Sequence, residues 1–215
     1  MLEAPTILKA VAASQVVAAF ASRLLTLASG WKADPTWPFG LLQPLVVLPM
    51  LFHGLVLGPV MVVSICLIKP FRVTPRAKAS AIVLALVGAA IAAPSPLMPS
   101  AFDAFTWRMS TFSEEQFQTL ARDLRAELAT TSHTGRLGHL DGGTRERVLR
   151  SLRPRHRILD IGDFPVDLNV HENHVSIEWA SGLTGGYEVF IADGPEASSG
   201  LPPANIHANV SATIK

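Results

Sequence analysis

The chain has 215 residues, 49% of them hydrophobic and only 16% charged, with a formal net charge of +1. Soluble domains carry about a quarter charged residues, so a single water-soluble globular domain is excluded. The apolar excess lies before Pro99 and most of the charge after it, which divides the chain into a transmembrane helical region, residues 1–99, and a soluble part.

The first apolar run, ILKAVAASQVVAAFASRLLTLASGW from Ile7, predicts a helix near residues 7–29. It is rich in Ala and carries Ser14, Gln15 and Arg23, and three readings fit it: a membrane-crossing helix, an amphipathic helix on the membrane surface, and a cleaved signal peptide. Lys9 and the small-residue step at 19–21 favour the signal, whereas Leu24 and Leu25, directly after the supposed cut, speak against it.

The second run, LLQPLVVLPMLFHGLVLGPVMVVSICLI at 41–68, contains no Asp, Glu, Lys or Arg. About 20 such residues cross the hydrocarbon core at roughly 1.5 Å per residue, so this run predicts a transmembrane helix. Pro44, Pro49 and Pro59 predict kinks within it. His53 should face a bundle interior, as ionisable residues in membranes do, but Gln43, His53 and Ser64 are too few polar groups for a transport path. Cys66, the single cysteine, allows no intrachain disulfide and reads as a small apolar residue. The third run, ASAIVLALVGAAIAAPSPLM at 79–98, has the length to cross before Pro94 and Pro96 disturb it. Two to three transmembrane helices are therefore expected.

Helices in lipid pack through small residues that let backbones approach. Ala10, Ser14, Ala18 and Ser22 recur in the first run, Gly54 and Gly58 in the second, and Ala81, Ala85, Ala89 and Ala93 in the third. These seams predict a bundle or self-association. Between the second and third runs IKPFRVTPRAK crowds Lys69, Arg72, Arg76 and Lys78 together. Short cationic loops stay cytoplasmic, which places residues 69–78 inside and the C-terminal domain outside the cytoplasm. Trp31, Trp37, Phe39, Phe102, Phe105 and Trp107 are then expected at the outer interface.

The soluble part, residues 100–193, opens with FSEEQFQTLARDLRAELATT, in which Ser113 and Gln116 have capping-box spacing and Phe117, Leu120, Leu124 and Leu128 recur at helical intervals. A shorter helix is expected at TRERVLRSL, closed by Pro154. VDLNV, HVSIEWA and GYEVFIAD alternate as strands and predict an antiparallel β-meander, with a fourth strand at HRILDI. The turn-rich residues 194–215 read as a loosely ordered tail. The expected fold is thus a membrane α-helical N-terminal part followed by a small α+β domain.

Charge is segregated in that domain. Seven arginines lie between Arg136 and Arg157 against Asp141 and Glu146, and eight acids follow from Ile158 onward against Lys215 alone. The basic segment and the acidic sheet can attract each other, or the arginines can meet lipid headgroups or an acidic partner; no nucleic acid is expected outside the cytoplasm. Chemistry-bearing motifs are sparse. His171 and His174 form H-x-x-H, with His133, His139, His156, Asp160 and Asp163 as conceivable company, but the motif sits in a hairpin turn where its spacing does not promise convergence, so no metal and no cofactor are expected. No G-x-S-x-G elbow occurs, and no catalytic residue is assigned. The expected protein is a non-enzymatic membrane anchor or interaction protein, with the lipid bilayer and a protein as its partners. The alternative is a membrane-tethered enzyme with a site near residues 158–174.

Overall fold

A computed structural model describes residues 4–34, 38, 42–67, 74–93, 99–130, 138–140, 142–162, 166–179, 186–193, 204–207 and 210–214. Lys69, Arg72, Trp37, Phe39, Pro94, Pro96, His133, Arg136, Asp163 and residues 181–185 of the SGLTGG turn lie outside the described residues. The chain forms two compact units: residues 1–27 with 36–99, and residues 28–35 with 100–215.

The first unit is helical. Helix α1 covers Ala4–Trp31, α2 Gln43–Phe52, α3 Gly58–Leu67 and α4 Pro75–Ala92. A π-turn at His53–Leu57 joins α2 and α3 into one rod, so three helices are long and apolar enough to cross a membrane: Thr6–Trp31, Gln43–Leu67 and Pro75–Ala92. The rod contains Pro49 and Pro59 without ending, and the π-turn sits where Pro59 removes a donor. The Gly58 N–H bonds the His53 carbonyl, five residues back. In that register the Gly54 carbonyl would look to residue 59, which has no N–H. Gln15 of α1, fully buried, supplies it: its Nε2 donates to the Gly54 carbonyl at 2.7 Å and to the Ala85 carbonyl of α4 at 2.7 Å.

Glycines make this approach possible. A Cβ on Gly58 would lie 2.5 Å from Gln15 Cγ, and one on Gly54 would press on the Ala92 and Ala19 methyls at 3.0 and 3.1 Å. The Gly54–Gly58 seam is therefore a contact within the chain. The other two seams differ from the expected ones. In α1 the buried line is Leu8, Ala12, Gln15, Ala19 and Ser22, with Ala10 and Ser14 exposed. In α4 it is Ala81, Ala85, Gly88 and Ala92. A strict four-residue repeat drifts off one face of a helix with 3.6 residues per turn, and steps of three and four keep to it. The opposite faces expose large apolar side chains, among them Phe20, Leu48, Phe52, Leu67 and Leu86.

The second unit is α+β. Its helices are α5 Ala101–Met109, α6 Glu114–Thr130 and α7 Gly142–Leu152, and its strands are β1 Gly138–His139, β2 Val166–Val170, β3 His174–Trp179, β4 Tyr187–Ala192, β5 Ala204–His207 and β6 Val210–Ile214. They form one antiparallel sheet in the order β1-β2-β3-β4-β6-β5. The β2-β3-β4 meander follows the predicted strands, and its register sets Ile177 opposite Val189 and Val175 opposite Ile191. That face, with Trp179, Leu168 and Val210, packs against Phe105, Phe117, Leu120, Leu124, Val148 and Leu152 of the helices. Ser113 caps α6 as its spacing promised: its N–H donates to Gln116 Oε1 at 2.8 Å and its hydroxyl accepts from the Gln116 N–H at 3.3 Å.

Three expectations are corrected. The supposed loose tail supplies β5 and β6, with β6 paired directly to β4. HRILDI is not a strand: Arg157–Asp160 is a 3-10 turn that buries Ile158 and Leu159. Residues 101–109 form a helix, capped by Ser100 and Asp103. Phe105 is consequently not at a surface but in the core, stacked on Tyr187 with ring centroids 4.6 Å apart and set edge-on to Trp179 at 5.8 Å. The turn after α1 belongs to the same core. Ala33 is buried at φ 51°, and a Cβ on Gly30 would collide with the Ala101 carbonyl. Tyr187 is pushed up to about 12 by its burial, then by the Asp34 carboxylate, against a Ser29 hydrogen bond that lowers it.

The packing sets the expected cost of substitutions in each unit. Trp179→Ala should cost about 3–5 kcal/mol in chemical denaturation of the second unit. Trp179→Phe should cost much less, since the buried indole N–H has no acceptor to lose. In the helical unit, Gln15→Leu strands the Gly54 carbonyl and should cost about 1–2 kcal/mol in detergent unfolding. Gly58→Leu should lower protease resistance further, because it drives α1 away from the rod.

Candidate functional site

Three polar side chains of the helical unit, Gln15, Arg23 and Lys78, donate to main-chain carbonyls of neighbouring helices. Besides Gln15, Arg23 Nε donates to the Ile91 carbonyl at 2.8 Å, and its Nη2 to the Ala92 carbonyl at 3.5 Å and to that of Ala93. These carbonyls end α4 and lack helical donors, so a guanidinium there both satisfies them and meets the negative helix end. Lys78 does the same for α3, donating from Nζ to the Cys66 carbonyl at 2.9 Å. His53 Nε2 lies 3.2 Å from Ser14 Oγ, and Ser14 donates to the Val11 carbonyl at 2.9 Å. Ser64 is exposed, and Gln43 is buried at the start of α2.

In the second unit the H-x-x-H motif converges in a way its spacing did not suggest. Glu172 and Asn173 form a two-residue turn, and the His171 N–H donates to the His174 carbonyl at 2.9 Å. Residues i and i+3 of such a hairpin are cross-strand neighbours on one face. Their rings stack with centroids 4.3 Å apart and planes 17° from parallel, and Phe190 flanks His174 at 5.7 Å. Arg125 of α6 holds the turn from the side, donating to the His171 carbonyl at 2.9 Å and pairing with Asp193. Stacked rings direct their nitrogens outward along two parallel planes rather than toward one point. Among the described residues no group of three or more His, Cys, Asp or Glu side chains is placed to hold a metal ion. His156 is instead engaged with Asp123, at 2.9 Å, and Asp160 is exposed.

The arginine segment divides into two sets. Arg145 pairs with Asp167 of β2, and Arg155 bridges Asp123 and Glu127 of α6 at 3.2 and 3.1 Å. These bonds tie α7 and the turn after it to the sheet and to α6. Arg147, Arg150, Arg153 and Arg157 are exposed and make no ion pair among the described residues. Beside them a groove of about 410 Å³ opens between the first turns of α6 and residues 155–158, with Phe112 and Ile158 on its apolar side and Glu115, Gln116, Arg155 and Arg157 on its polar side. Glu115 offsets the guanidiniums, so the groove is mixed in charge while the face of α7 is cationic. Sequence reasoning found the arginines but could not sort them. The signal it passed over was Ser100-x-x-Asp103, a capping pattern that announces α5.

No known protein family, curated protein or solved structure matches the chain.

His174 yields a pH prediction. Burial lowers its pKa first, then the neighbouring His171; Asp193 and Glu188 raise it, and Arg125 lowers it again. A depressed imidazole stabilises the fold while neutral, so its contribution is present above the ordinary value of 6.5 and is lost as the pH falls through the lower folded value. The melting temperature of the second unit should fall between pH 7 and pH 5, and His174→Gln should flatten that part of the curve.

Proposed function

We propose that this chain is a multi-pass membrane protein without catalytic chemistry of its own, whose helical unit anchors an α+β interaction domain on the extracytoplasmic side. The observation that carries the reading is the use of Gln15, Arg23 and Lys78 on main-chain carbonyls of neighbouring helices. Polar side chains so engaged lock helices together, as a scaffold requires, and do not line a path for a solute. The interleaving of Leu8, Ala12, Gln15 and Ala19 with the other two helices supports a retained first helix that crosses with them.

Aromatic and cationic side chains next to the helices support the boundary. Trp31 and Trp107 are exposed, and the Arg108 guanidinium lies over the Trp31 ring at 5.1 Å, a composition suited to the headgroup layer. The direction of crossing rests on Lys69, Arg72, Arg76 and Lys78, which mark residues 69–78 as cytoplasmic.

A reporter active only outside the cytoplasm, fused after Lys215, should be active, and the same reporter fused within residues 70–77 should be silent. Neutralising the four loop cations while adding Lys or Arg around Trp31–Phe39 should scramble that pattern. A cytoplasmic C-terminal signal from the unaltered chain would refute the orientation.

A further inference from the structure

We propose that the exposed arginine face of α7 and the turn after it, Arg147, Arg150, Arg153 and Arg157, docks on the anionic phospholipid headgroups of the membrane in which the same chain is anchored; this rests on the reading that the apolar helices span a bilayer. Arg147 and Arg150 stand one turn apart on α7, and Arg153 continues the line, its N–H still bonded to the Leu149 carbonyl at 2.9 Å. Val148, Leu149 and Leu152 point the other way into the core, so the helix cannot turn its charges inward. Two neighbouring arginines, Arg145 and Arg155, are neutralised by carboxylates of the same unit. The four exposed ones make no ion pair among the described residues, with Glu146 and Asp160 at the margins and Glu115 lining the same groove as Arg157.

The kind of partner follows from what the face lacks. A protein interface is built around a desolvated apolar or aromatic centre with polar groups at its rim. Here the exposed positions from 146 to 157 are Glu146, five arginines and Pro154, with no aromatic or large aliphatic side chain among them. A charged, unstructured layer of phosphates needs no apolar centre, and guanidinium donates to phosphate in a bidentate fork. Proximity does the rest. The unit begins at Ser100, close behind the apolar helix that ends at Ala92, and also includes residues 28–35 at the end of α1. A short tether holds the arginines at a high effective concentration of headgroups. Each arginine close to an anionic surface biases the docked state roughly five-fold.

The test is amide hydrogen exchange on the full chain in lipid nanodiscs made of phosphatidylcholine alone or with phosphatidylglycerol added. Residues 142–160 should exchange at least about ten-fold more slowly in the anionic discs. High salt should abolish the difference. So should the R147Q/R150Q/R153Q/R157Q variant, whose β2-β3-β4 exchange should stay unchanged as proof of folding. Equal exchange of residues 142–160 in both discs overturns the proposal. Protection that appears only on adding soluble polyglutamate overturns it as well, in favour of an acidic protein partner. A chain that inserts into neither disc refutes the membrane anchoring and, separately visible at that step, this inference with it.

Discussion

The helical unit depends on one carbonyl that its own helix cannot satisfy. Pro59 lacks the N–H that the π-turn register would direct to Gly54, and a bare carbonyl inside a helix bundle is costly where no water reaches it. The Gln15 amide answers it and, with its second proton, reaches Ala85 of α4, so a single side chain fixes all three helices in register. Gly58 leaves room for the Gln15 methylenes, which a Cβ there would overlap at 2.5–2.8 Å, and Gly88 lies close to the same amide, where a Cβ would be a tight contact at 3.0–3.2 Å. A defect in one helix thus becomes the specific lock of the bundle.

The same economy of donors ends α3 and α4. Each would leave open carbonyls at its C-terminus, and Lys78 and Arg23 occupy those positions. Arg23, which weakens the first run as a membrane segment when its sequence is read alone, becomes a cap once α4 is beside it. Isolated charges in apolar helices acquire their meaning from the helix end they meet.

In the second unit an aromatic cluster has the corresponding role. Phe105, Trp179 and Tyr187 bring together α5, β3 and β4, and the turn after α1 adds Ala33 and Asp34 to that core. Around it, ion pairs sort the charges. Arg145–Asp167 and Arg125–Asp193 join helices to the sheet, so the segregation of basic and acidic residues along the chain is in part a device for intradomain attraction. Arg147, Arg150, Arg153 and Arg157 remain exposed on α7 and the turn after it, in no ion pair among the described residues.

The sequence by itself determined the apolar spans, the capping of α6 and the three strands of the meander, because length, periodicity of 3.6 or 2 and cap spacing are local properties of the chain. It also placed the arginines and the H-x-x-H pair. Tertiary structure alone decided the rest. Residues 204–207 and 210–214 look like turn-rich coil until β4 offers β6 an open edge and β6 in turn pairs β5. His171 and His174 meet only because a two-residue turn makes them cross-strand neighbours, and Phe105 leaves the surface only because α5 folds over Tyr187 and Trp179. Which arginines stay free depends on carboxylates up to 32 residues away in sequence. Contacts between residues so far apart have no local signature, since the chain records the groups that can pair but not the fold that brings them within reach.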